Sequence, residues 1–199
     1  MIEMFYKGGL MMYPIAFASI VALAVFIERM WALRRINIFS TNLVIAIRNI
    51  KSDEDVENLK TVAAAQESVL SRLVLFLLPY RELPMDEQKD IIEEQGRQEI
   101  RFLHQRLGIM ETIAGVAPLL GLLGTVLGMI RVFAGLNMAG IVKATSLSGG
   151  IAEALITTAA GLIIGIPTLI VYNYLESISK EHILDLEQYL NQLIHNLNL

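Results

Sequence analysis

Three stretches of this chain contain no Asp, Glu, Lys, Arg or His, and each is about as long as a lipid bilayer is thick. They cover residues 8–27, 112–130 and 154–175, or 20, 19 and 22 residues. A helix needs about 20 mostly apolar residues to cross the hydrocarbon core. The sequence therefore predicts an all-α membrane protein with three transmembrane helices. Charged residues bracket every run: Lys7 and Glu28, Glu111 and Arg131, Glu153 and Glu176. Composition agrees, because 54% of the residues are hydrophobic, above the roughly 45–50% of soluble domains.

The first run contains Ala-x-Ala patterns at Ala16–Ala18 and Ala22–Ala24, the kind a secretory signal carries at its cleavage site. Here they lie inside the apolar run, and only Lys7 precedes it, so the run reads as an uncleaved anchor. Arg29, Arg34 and Arg35 follow it, and Arg97, Arg101 and Arg106 precede the second run. Lys and Arg near span ends mark the cytoplasmic side. The expected organisation is an external N-terminus and first span over 1–31, then a cytoplasmic helical domain over 32–111. A second span over 112–132, an external connection over 133–152 holding Lys143, a third span over 153–175 and a cytoplasmic C-terminal helix over 176–199 follow.

The domain between the first two spans reads as helical. Ser52 followed by Asp53, Glu54 and Asp55 is a helix start, with acids where the dipole favours them. Residues 63–78 continue in helix formers up to Pro79. Pro84 with Asp86, Glu87 and Asp90 marks another start. From there one helix of about 70 Å is expected to run from 84 to 131. In the tail, Ile183, Leu186, Leu190, Leu193 and Leu197 step by three and four, an apolar seam that extends the third span and packs on the long helix. Together these segments predict a cytoplasmic helical bundle.

Several function classes find no residues. There is no cysteine, so no disulfide or thiolate site. His104, His182 and His195 are far apart in sequence and read as surface or packed positions. No phosphate loop, nucleophile elbow or metal spacing occurs, which predicts neither an enzyme nor a cofactor. The formal charge of −4 is spread along the chain and predicts no nucleic-acid partner.

The second and third runs each carry a stripe of small and hydroxyl residues. The second run reads Gly115, Pro118, Gly121, Gly124, Thr125 and Gly128, and at 100° per residue Ala114, Ala117, Gly121, Gly124, Thr125 and Gly128 fall within roughly 100° of arc. Ala154, Thr157, Thr158, Gly161, Gly165, Thr168 and Tyr172 do the same on the third run. Gly124–Gly128 and Gly161–Gly165 are small-xxx-small pairs, which serve close helix packing in membranes. The same stripes suit the wall of a narrow wet path, because the hydroxyls exceed what packing needs. Glu153 begins the third span, where the helix dipole favours a carboxylate and where a polar path would have its mouth. Threonine orders water but does not titrate near neutral pH, so a path walled by these runs needs a titrating group from another chain.

The run Ala117-Pro118-Leu-Leu-Gly121-Leu-Leu-Gly124-Thr125-Val126 resembles the signature of the MotA/TolQ/ExbB proton-channel family. So do Gly150-Ile151-Ala152-Glu153-Ala154-Leu155, Thr158-Ala159, Gly161-Leu162, Ile166-Pro167, Tyr172-Asn173 and the Glu28-Arg29 pair. Val116 and Leu127 depart from the Thr and Trp common there. The resemblance implies a bacterial inner-membrane subunit with a periplasmic N-terminus, forming a homopentamer around a single-span partner similar to ExbD, TolR or MotB. That partner carries a membrane Asp, and proton flow through it drives work on the envelope, passed to a TonB- or TolA-like protein. By motif, Thr125, Glu153 and Thr158 line the proton path. Gly121, Gly124, Gly128, Thr157, Gly161, Gly165, Thr168 and Tyr172 form the packing and pore face, with Pro118 and Pro167 as kinks. Three spans favour the ExbB/TolQ type over the flagellar stator. A non-conducting membrane scaffold uses the same stripes and stays open as an alternative, as does a flagellar or gliding motor stator subunit. The system energised, the ring stoichiometry and the choice of H+ or Na+ stay open too.

Overall fold

A computed structural model of the chain describes residues 8–139 and 144–198, with side chains described outside 135–147. Lys7 and Lys143, used in the orientation argument, lie outside the described residues. Every regular element among the described residues is helical. The helices are α1 (Met12–Ala32), α2 (Arg35–Ile38), α3 (Thr41–Arg48), α4 (Asp53–Ala64), α5 (Val69–Leu77), α6 (Met85–His104), α7 (Leu107–Ala139) and α8 (Ala144–Leu197), with a 3-10 turn at Leu78–Tyr80. Three stretches are long and apolar enough to cross a membrane, namely Met12–Ala32, Met85–Ala134 and Ser148–Leu197. The expected connection over 133–152 is helical in its described part, since α7 runs to Ala139 and α8 starts at Ala144.

The chain divides into two compact units, Met1–Glu28 with Arg106–Tyr174 and Arg29–Gln105 with Leu175–Leu199. The first contains α7 and the parts of α1 and α8 up to Glu28 and Tyr174. Its surface carries Leu119, Leu122, Val126, Leu155, Ile163 and Ile170, all largely exposed. A helix that exposes Leu and Ile all along one side suits hydrocarbon rather than water. The buried side holds small residues: Ala22, Ala114, Ala117 and Ala154.

The second unit has an ordinary helical core, with Ile38, Leu43, Ile47, Leu59, Leu70, Leu73 and Leu77 buried. Each short helix packs on the next, α3 on α4, α4 on α5 and α5 on α6. Ser52 caps α4 as the sequence predicts, in a reciprocal box. Its hydroxyl accepts from the Asp55 amide, and the Asp55 carboxylate accepts from the Ser52 amide at 3.0 Å. Of the tail seam, Leu186, Leu190 and Leu193 are buried, joined by Tyr189 and Ile194, while Ile183 and Leu197 are half-buried. His182 is a packed histidine, its Nε2 3.0 Å from the Leu33 carbonyl and its ring edge-on to Phe39.

Two expected continuities are broken. The run over 63–78 is not one helix: α4 ends at Ala64, and Ser68 opens α5 by accepting from the Ser71 amide at 3.1 Å. A buried Ser cap outweighs the helix preference of the residues before it. Likewise, no single helix runs from 84 to 131. It breaks at Gln105 and Arg106, with Arg106 left-handed at φ 65°. That conformation costs roughly 1–2 kcal/mol for a non-glycine residue. Two contacts offset it. The almost fully buried Arg29 donates to the Phe102 carbonyl at 3.1 Å, satisfying one of the last acceptors of α6. Arg106 itself pairs with Glu28 at 3.0 Å.

Candidate functional site

The two stripes meet each other. Moving along α7 from 114 to 132, the facing positions on α8 fall from 165 to 150, so the helices are antiparallel. Gly165 faces Pro118 and the Ala114 carbonyl, Gly161 faces Ala117 and Gly121, Gly124 faces Thr157, and Gly128 faces Ala154. The approach is backbone to backbone at the centre. A Cβ on Gly161 would lie 2.5 Å from the Ala117 carbonyl oxygen, and one on Gly121 would lie 2.9 Å from that of Thr157. Only glycine fits at either place. Both prolines sit inside their helices. Pro118 has no N–H to offer Ala114, and that carbonyl instead faces Gly165.

The hydroxyls are anchored on backbone carbonyls. Thr125 donates to Leu122 at 2.5 Å and Thr168 to Ile164 at 2.7 Å, both within their own helix. Thr157, fully buried, reaches both the Glu153 carbonyl at 2.7 Å and the Gly8 carbonyl at 3.0 Å. Thr158 alone of the four crosses between α7 and α8, donating to the Gly121 carbonyl at 3.1 Å. Thr125, Thr158 and Tyr172 are half-buried. Each of the four threonine protons is thus engaged, while the oxygen keeps lone pairs that can accept a further bond.

Glu153 lies nine residues inside α8, which starts at Ala144. It therefore does not sit at the helix N-terminus where the sequence placed it, and the dipole of the first turn does not hold it. There α8 meets the segment before α1. Its carboxylate oxygen is 2.7 Å from Arg131 Nη1 on α7. Gly9, left-handed at φ 67°, lies against the same carboxylate, and any Cβ there would overlap Glu153 Oε1. The sequence reading treated Arg131 only as a bracketing charge and missed this pair. The signal was present: Arg131 closes one span, Glu153 opens the next, and antiparallel spans bring those two ends together. The same logic covers Glu28 and Arg106 at the end of the first span and the start of α7.

Near Pro167, α1, α7 and α8 enclose a cavity of about 310 Å³ lined by Ser19, Ala22, Phe26, Met110, Pro167 and Thr168. Thr157 meets Gly8, while residues 19–26 share this cavity with residues 163–171, so α1 and α8 run parallel. Among the described residues no group of His, Cys, Asp and Glu is arranged to hold a metal ion.

Comparison with known proteins shows the family. A model of the MotA/TolQ/ExbB proton channel family matches residues 54–188, more than half of the chain. ExbB-like 1 of Synechocystis, named as a candidate biopolymer transport protein, is 34% identical over 184 residues, covering 91% of this chain and 72% of that protein. The biopolymer transport protein ExbB of Aquifex aeolicus is 46% identical over 85 residues, 43% of this chain and 57% of its own. The Tol-Pal system protein TolQ of Haemophilus influenzae is 43% identical over 77 residues, 39% of this chain and 34% of its own. With three apolar helices and a family match that runs through both stripes, the chain is a multi-pass, all-α membrane protein that belongs to the MotA/TolQ/ExbB proton channel family.

Proposed function

We propose that the chain is the wall subunit of an ExbB/TolQ-like proton-driven motor in the bacterial inner membrane. Five copies form a ring around a single-span partner whose membrane Asp carries the proton. The N-terminus is periplasmic, the tail after Glu176 is cytoplasmic, and the helical domain over 32–111 forms the cytoplasmic bundle. Lipid covers the outer face. The work passes to a TonB- or TolA-like protein, and the chain itself performs no enzymatic step and holds no cofactor.

The observation that carries this reading is a division of labour. The hairpin offers hydroxyls and glycines between Glu111 and Arg131 and between Glu153 and Glu176, yet no Asp, Glu, Lys, Arg or His. Thr125 and Thr158 have their protons committed to Leu122 and Gly121, so towards a neighbour they present lone pairs only. Such oxygens accept from a protonated carboxylic acid and repel a carboxylate. They favour the neutral acid inside the ring, the state in which it can move past an apolar wall. Glu153 stands at the outer mouth, and Pro118 and Pro167 supply the kink points. One elementary charge falling through 100 mV releases about 2.3 kcal/mol, enough to bias a two-state element roughly fiftyfold.

The test is reconstitution with the cognate single-span partner in liposomes under an imposed potential. Proton flux is expected with the wild-type pair and is lost when the partner Asp is changed to Asn. Absence of flux from a correctly assembled wild-type complex overturns the reading. It would favour a non-conducting scaffold, which the close mutual packing of the two glycine faces in a single chain supports.

A further inference from the structure

Arg131 does not belong to the small-residue stripes, yet it is the cation bonded to Glu153. Three separate parts of the chain converge there. Arg131 Nη1 on α7 lies 2.7 Å from Glu153 Oε1 on α8. The Gly8-Gly9 segment before α1 closes the third side: Gly9 leaves space for the carboxylate by having no side chain, and the Gly8 carbonyl accepts from Thr157 one turn along α8. A carboxylate held between a guanidinium and a bare backbone has one position rather than several. The pair is also an electrical statement. A lone carboxylate at the mouth of a narrow, low-dielectric path concentrates cations, whereas one paired with an arginine presents almost no net charge.

We propose that Arg131 is a positioning and charge-cancelling residue, a lock that holds Glu153 at the outer mouth and keeps the ring from leaking cations until the path is engaged. This rests on the proposed function, because it assigns Glu153 to the mouth of that path. The pair ties α7 to α8 beside the contact between Gly150 and Val132. Opening it frees the carboxylate.

The chain without its partner, in liposomes with an interior pH dye and an imposed potassium potential, tests the lock. Arg131→Gln is expected to raise passive proton entry roughly tenfold or more, the low end of the concentration effect of an uncancelled charge. Arg131→Lys keeps the leak low. The double variant R131Q/E153Q, which has no free carboxylate, brings the leak back down, and so does the reversed pair R131E/E153R. A merely structural role for Arg131 predicts instead that the double variant leaks at least as much as R131Q. A leak in R131Q equal to wild type, or one that persists in the double variant, overturns the lock. If the partner-loaded wild type conducts while R131Q leaks no more than wild type, the lock alone fails. If the partner-loaded wild type does not conduct, the function reading fails and the lock with it.

Discussion

The Thr158 hydroxyl donates to the Gly121 carbonyl oxygen at 3.1 Å, a bond between residues 37 apart that joins α8 to α7. It exists because Gly121 has no side chain: a Cβ there would lie 3.0 Å from the Thr158 Cα. The glycine and the hydroxyl are one device, the first allowing the approach and the second satisfying a carbonyl there.

Thr158→Val keeps the shape and removes the bond. The hairpin is expected to lose about 1 kcal/mol, the net worth of a typical intramolecular hydrogen bond. Partner-driven proton flux should fall as well, by roughly tenfold, because each 1.4 kcal/mol of lost stabilisation for the neutral acid is one decade. Thr158→Ser should restore both. Unfolding of the detergent-solubilised chain and flux in liposomes measure the two effects separately. Wild-type values for Val in both assays would remove Thr158 from the device.

Two glycine substitutions should have opposite signs. At Gly161 a Cβ meets the Ala117 carbonyl oxygen at 2.5 Å and the Gly121 Cα at 3.1 Å, backbone on both counts, so no side chain can swing away. Gly161→Ala is expected to cost about 1–3 kcal/mol, the usual penalty for overpacking. At Gly115, on the same helix as Gly121, nothing lies within 4 Å of the new atom. Gly115→Ala should stabilise by roughly 0.5–1 kcal/mol through helix preference alone. Parallel unfolding curves settle it, and equal effects would contradict the packing described here.

The α4 cap should be acid-sensitive. The Asp55 carboxyl is held below the usual carboxylate range, first by the Lys51 amide and then by the Ser52 hydroxyl. Its folded value lies below its unfolded one, so its contribution is full above the unfolded value. It is lost as pH falls through the folded one. Titration of the Asp55 side-chain carbon shift is expected to show a midpoint below that of a model peptide. Ser52→Ala should move the midpoint back up. An ordinary midpoint in the wild-type chain would refute the box as an electrostatic device.

The spans were legible because hydrocarbon imposes a simple rule, that long runs without charge must be helices. The stripes were legible because glycine and threonine recur at helical spacing, and the Ser52 box because its partners lie three residues apart. What escaped depends on residues distant in sequence. The break at Arg106 is held by Arg29 and Glu28, more than 70 residues away, and the nearest local breaker, Gly108, falls two residues past it inside α7. The interruption before Ser68 was local but ambiguous, since Ser caps helices and also tolerates their interior. The fate of the hydroxyl protons was invisible as well. Periodicity placed Thr125 and Thr158 on the right faces, but only the folded hairpin shows that one donates within its helix and the other across.

Gly9 and Glu153 occupy what amounts to a single volume, a backbone without a side chain on one side and a carboxylate on the other. Neither position can drift by itself. In any descendant of this chain, an alanine at position 9 would have to arrive together with a shorter or missing side chain at position 153. The two sites, 144 residues apart in sequence, would then change as a pair across a lineage, and the left-handed backbone at position 9 would add its own bias against the change. Such paired change is a historical trace that a single structure foretells.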